Sequence, residues 1–96
     1  MFGKNNNMVR RFYCFYGRVQ GVGFRFTASA IAESLGLTGW VCNQDDHVEM
    51  EVQGDVQSIE QMIEALYKSK YIGIERIQCA DIPVVGEHGF HVRGDY

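Results

Sequence analysis

Residues 47–53, HVEMEVQ, alternate without a break: Val48, Met50 and Val52 point one way, Glu49 and Glu51 the other. A period of two predicts a strand with one buried and one wetted face. TGWVCN, residues 38–43, predicts a shorter strand before it, and NQDD between them is turn material, so the two form a hairpin. Further upstream, VRRFYCFY (9–16) is aromatic and extended, with apolar groups on both faces. Such a strand suits the middle of a sheet. Twice the period lengthens to that of a helix. In FRFTASAIAESLG, Phe24, Ala28, Ile31 and Leu35 make one apolar face. Gly36 is placed to end that helix in a left-handed conformation, with Leu37 packing back over the last turn. Asp55 can cap a second helix, whose stripe is Val56, Ile59, Met62, Ile63, Leu66 and Tyr67. IERIQCADI (74–82) then predicts a strand that Pro83 terminates, VVGEHG is a turn-rich connection, and FHV (90–92) makes a last short strand.

The order strand, helix, strand, strand, helix, strand has one economical solution. Two right-handed βαβ halves give an α+β, ferredoxin-like βαββαβ sandwich, one antiparallel sheet with two helices packed on one face. MFGKNNNM, residues 1–8, predicts a flexible N-terminal tail, and residues 9–96 a single domain. This fold hosts many unrelated activities, so function must come from particular residues.

Composition narrows the field of partners. At 46% hydrophobic and 22% charged residues the chain can bury one modest core. A net charge of -3 argues against non-specific nucleic-acid binding, which needs clustered Lys and Arg. No apolar run approaches the ~20 residues of a membrane span, and there is no signal-peptide core at the N-terminus. A cytoplasmic protein with no nucleic-acid or membrane partner, acting as a monomer, is expected. The three cysteines, Cys14, Cys42 and Cys79, form no C-x-x-C pair, and buried free thiols are expected. His47, His88 and His91 match no standard ligand spacing, so solvated histidines and no metal site are expected.

The chemistry concentrates in FYGRVQGVGFRF, residues 15–26. Gly17, Gly21 and Gly23 fall in the connection from the first strand to the first helix. Glycines let such a loop turn sharply with its N–H groups uncovered, and the helix dipole adds positive potential. The amides of Arg18, Val19, Gln20, Gly21, Val22 and Gly23 could together nest an anion of phosphate size. Arg25 stands in the helix's first turn, where a cation opposes the dipole and an anion between them would resolve the conflict. A glycine-rich turn with a surface arginine is the plainer reading of the same residues. The stretch lacks the G-K-[ST] ending of a nucleotide P-loop and the third glycine of a dinucleotide fingerprint. Asn43, at the end of the second strand, can hold a water without titrating, although asparagines commonly just open turns.

GRVQGVGFR (17–25) followed by LGLTGWVCN (35–43) resembles the acylphosphatase family, and the likeness runs from about Tyr13 to the final residues. The resemblance implies a ferredoxin-like hydrolase of the carboxyl-phosphate bond of small acyl phosphates, needing neither metal nor cofactor. It also implies that Arg25 and Asn43 are the catalytic pair and that the loop from Arg18 to Gly23 supplies phosphate-binding amides. The family's D-G hairpin is here NQDDHVE, and its aromatic-x-aliphatic-R-Y ending is spread out as FHVRGDY. The alternatives are a non-catalytic anion-binding module or a carbamoyl-phosphate-processing one within a larger assembly. The presence of both Arg25 and Asn43 argues against the first, and the length of the chain against the second.

Overall fold

The computed structural model describes residues 8–94, in the order β1 (Met8–Arg18), α1 (Phe24–Ser34), β2 (Thr38–Asn43), β3 (Val48–Asp55), α2 (Val56–Lys68), β4 (Gly73–Ile82) and β5 (Phe90–Arg93). Five strands form one sheet in the order β4-β1-β3-β2-β5. β1 lies in the middle, antiparallel to both β3 and β4, as its two apolar faces predict. The β2–β3 hairpin is antiparallel, while β5 runs parallel to β2 and makes the sheet mixed at that edge. Residues 1–7 of the expected tail and Tyr96 of the spread ending lie outside the described residues; Met8 already belongs to β1.

The core lies between one face of the sheet and the helices. Phe15, Val41, Val48, Met50 and Val52 meet Phe24, Ala28, Ala32, Ile59, Met62 and Leu66, all buried. On α1 the buried face runs through Ala32 rather than out to Leu35, which is half-buried. The small side chain lets that helix approach the sheet closely. On α2 the stripe narrows to Ile59, Met62 and Leu66, with Ile63 half-buried against the core; Val56, at the start of the helix, is half-exposed and Tyr67 is 53% exposed. Both helix ends follow the sequence signals. Asp55 Oδ2 accepts from Gln57 N at 3.0 Å and Ser58 N at 3.4 Å. Gly36, at φ 70°, lets Leu37 N donate to Ala32 O at 2.9 Å and Gly36 N to Glu33 O at 3.2 Å.

Among the described residues the other face of the sheet carries no helix. The 83–89 connection passes over it from the β4 edge to the β5 edge, tied down by a polar network. Gln53 Nε2 donates to Val85 O at 2.7 Å and its Oε1 accepts from Val85 N at 2.9 Å. Arg10, 4% exposed, pairs with Glu51 at 2.8 Å and with Glu87, whose carboxylate also accepts from Thr38 Oγ1 at 2.8 Å. A buried guanidinium needs such a set of acceptors to offset its lost hydration.

Candidate active site

β1 breaks register with β4 between Tyr16 and Gly17, and the chain then turns through residues 19–23 into α1. Gly21 has φ 72° and Gly23 φ 77°. A side chain in that left-handed region costs roughly 1–2 kcal/mol, which explains glycine at both positions. A β-carbon on either would meet nothing within 4 Å, so conformation rather than crowding makes the demand. Gly23 is the N-cap of α1, with no side-chain cap hydrogen bond and no acidic residue in the first turn. The positive end of the helix therefore faces the loop without a carboxylate beside it.

Arg25 is only 9% exposed, and its Nη1 donates to the Arg93 carbonyl of β5 at 2.7 Å. It lines a cleft of about 120 Å³ with Val19, Gly21, Gly23, Phe26 and Asn43. A cleft of that volume has room for a group of phosphoryl size. The residues named from the sequence divide in two. Val19, Gly21, Gly23, Arg25 and Asn43 come together at the cleft. Arg18 is exposed and lies against Gly73, Val22 packs on the core, and the Gln20 side chain leaves the cleft for the β2–β3 turn. Gln20 Nε2 donates there to the carbonyls of Gln44 and, at 2.9 Å, His47. Phe26, 71% exposed at the cleft, and the Arg93 carbonyl were not legible as site groups in the sequence.

The turn after Asn43 closes without its D-G pair, because Gln44 N donates to His47 O at 2.8 Å and Asn43 stays in register with Val48. Asp46 is exposed and its Oδ1 lies 2.6 Å from His47 Nδ1. The hydrogen bond that His47 donates to Asp46 raises the His47 pKa above its ordinary value, with Glu49 adding to it and burial opposing it. The expectation of solvated histidines is met by His88 and His91 but not by His47, whose side chain is 17% exposed. Nor does His47 stand apart from other ligand-type groups, as its sequence spacing suggested. Strand register brings it to Cys14 and Glu49, one ligand-type atom from each lying within 4.8 Å of the others. All three cysteines are free thiols, but only Cys14 is buried: Cys42 is half-buried, and Cys79 is exposed because β4 is an edge strand.

A sequence model of the acylphosphatase family matches residues 11–92. The acylphosphatase of Thermococcus kodakarensis is 38% identical over 88 residues, covering 90% of this chain and 97% of its own. That of Bifidobacterium longum is 35% identical over 83 residues, covering 84% and 86%. Among solved structures, an acylphosphatase from Coxiella burnetii superimposes with a TM-score of 0.84 at 32% identity, covering 91% of this chain and 94% of the other. Full-length HypF, solved in a phosphate- and nucleotide-bound form, gives a TM-score of 0.87 at 30% identity, but the match covers 12% of that chain. The protein is thus an α+β hydrolase of the ferredoxin-like class. It belongs to the acylphosphatase family, enzymes that hydrolyse acyl phosphates. Among the described residues no helix is long and apolar enough to cross a membrane.

Proposed function

We propose that the cleft hydrolyses the carboxyl-phosphate bond of a small acyl phosphate, with Arg25 and the 18–23 loop holding the phosphoryl group and Asn43 orienting the attacking water. The observation that supports this most is the convergence of Gly21, Gly23, Arg25 and Asn43, from two separate segments, on one phosphate-sized cleft. The substrate brings a good leaving group and a multiply charged phosphoryl end, so catalysis needs neutralisation and a placed nucleophile more than strong acid–base groups. The loop amides and the guanidinium offer donors to the non-bridging oxygens. The water oxygen bonds to phosphorus, the bond from phosphorus to the acyl oxygen breaks, and the carboxylate departs. A phosphoryl oxygen takes the water's proton. No step calls for a metal, so turnover is expected to survive exhaustive chelation.

Calorimetric binding of inorganic phosphate beside steady-state kinetics tests the division of labour. Arg25→Ala is expected to weaken phosphate binding and turnover together, and Arg25→Lys to rescue poorly, since a point charge cannot replace the planar fork. Asn43→Ala is expected to lower kcat by about 100-fold or more while phosphate affinity stays within about a few-fold of wild type. Loss of phosphate binding in folded Asn43→Ala protein would overturn the assignment. A second reading makes carbamoyl phosphate the substrate within a larger assembly; the match to a domain-sized part of full-length HypF supports the larger assembly. Parallel assays with benzoyl, acetyl and carbamoyl phosphate separate the two.

A further inference from the structure

The open face of the sheet, away from α1 and α2, carries a second chemically equipped place. Cys14 on β1 is the register partner of Glu49 on β3, so the two side chains leave the same face of adjacent strands. His47 precedes Glu49 by two residues, and its ring shares that face: its Nε2 is 3.0 Å from Glu49 Oε2. One ligand-type atom from each of the three lies within 4.8 Å of the others. We propose that Cys14, His47 and Glu49 form a binding site for a zinc-class divalent metal ion, with solvent at the fourth position.

Donor type selects the ion. A sulfur, an imidazole nitrogen and a carboxylate oxygen suit zinc or cobalt(II), whereas magnesium and calcium call for oxygen donors alone. Bond lengths of about 2.0–2.3 Å place tetrahedral ligand atoms roughly 3.3–3.8 Å apart. From separations within 4.8 Å, reaching that spacing calls for donor displacements of about an ångström.

The surroundings are those of a supported site. The far ring nitrogen of His47, Nδ1, bonds Asp46 at 2.6 Å, the carboxylate–histidine arrangement that orients a metal-binding imidazole. The His47 ring also stacks on Tyr16 with centroids 5.0 Å apart. Glu49 is held through its other oxygen, Oε1, which accepts from Gln44 Nε2 at 3.3 Å. Arg76 lies over the Tyr16 ring as a neighbouring cation, and the two carboxylates of Asp46 and Glu49 offset it. Cys14 is buried while the side chains of His47 and Glu49 are 17% and 26% exposed, which leaves an entry path from solvent.

An ion here would link β1 to β3 and draw on the turn that follows Asn43. The Gln44–His47 bond closes that turn, and Gln20 reaches its carbonyls from the phosphate loop. Neither Arg25 nor the loop amides contribute a ligand, so the site is separate from the hydrolytic cleft.

Cobalt(II) is the probe. Titration of the reduced full chain is expected to give thiolate-to-cobalt charge-transfer absorption and tetrahedral visible bands saturating at one equivalent, reversed by zinc. Both signals are expected to vanish in Cys14→Ser and to fall strongly in His47→Gln, and to persist in Cys42→Ser and Cys79→Ser. Zinc is expected to raise the melting temperature of the wild type but not of Cys14→Ser; circular dichroism confirms that each variant is folded. A silent titration of the wild type, or a charge-transfer band that survives Cys14→Ser, would overturn the proposal.

Discussion

Arg25 places a cation where a helix dipole disfavours it, and the residue as a whole is only 9% exposed. One N–H is committed to the Arg93 carbonyl, which fixes the fork beside the cleft before any anion arrives. Such preorganisation is what makes a donor effective in a transition state. At Gly21 and Gly23 the demand is purely on φ, since added β-carbons find open space. Gly21→Ala and Gly23→Ala are each expected to weaken phosphate binding, as the loop relaxes from a path that strains alanine by roughly 1–2 kcal/mol. Isothermal titration with phosphate checks this, and unchanged affinity in both would remove the loop from the binding site. Phe26 lies exposed at the same cleft. Covering part of its ring with an aromatic acyl group would gain about 1 kcal/mol of burial. Phe26→Ala is therefore expected to raise KM for benzoyl phosphate by about 3- to 10-fold with little change for acetyl phosphate.

Among the elements, α1 and α2 have different duties. The N-terminal end of α1 is left without a side-chain cap and faces the cleft, whereas α2 is capped by Asp55 and supplies core side chains. Asp55→Ala is expected to cost about 1 kcal/mol of stability, read from urea unfolding, with kcat unchanged. A fall in kcat would tie α2 to the site. β5, only four residues long, orients Arg25 through a carbonyl that the sequence gives no way to single out. The β2–β3 turn likewise is more than a connection, because it follows directly on Asn43 at the end of β2 and receives the Gln20 side chain from the phosphate loop.

For the whole molecule, the connection over the open face joins the two sheet edges through Arg10, Glu51, Gln53 and Glu87. Burial pushes the Glu87 carboxyl pKa up, but hydrogen bonds from Arg10 and Thr38 outweigh it and leave it below the ordinary glutamate value. A carboxyl with a folded-state pKa below its unfolded one stabilises fully above the unfolded value, about 4.3, and loses that contribution as pH falls through the folded value. Urea midpoints are expected to fall as pH drops from about 5 toward about 3. Glu87→Gln is expected to be less stable near neutral pH and to show a shallower acid loss. An equally steep loss in that variant would assign the acid sensitivity to other carboxylates.

Local order was legible because it is written in short-range periodicity. The alternation of Val48, Met50 and Val52 with glutamates fixes which face of β3 is buried, and Asp55 and Gly36 mark helix ends through bonds to neighbours in sequence. The glycine loop, Arg25 and Asn43 could be named from motif alone, as could the family. Tertiary structure decided what depends on register between distant segments. It turned the Gln20 side chain away from the cleft, set Arg25 against Arg93, exposed Cys79 at a sheet edge, and placed Cys14 beside His47 and Glu49. A strand's pattern says which face each side chain leaves, but only its pairing says which side chain of another strand it meets.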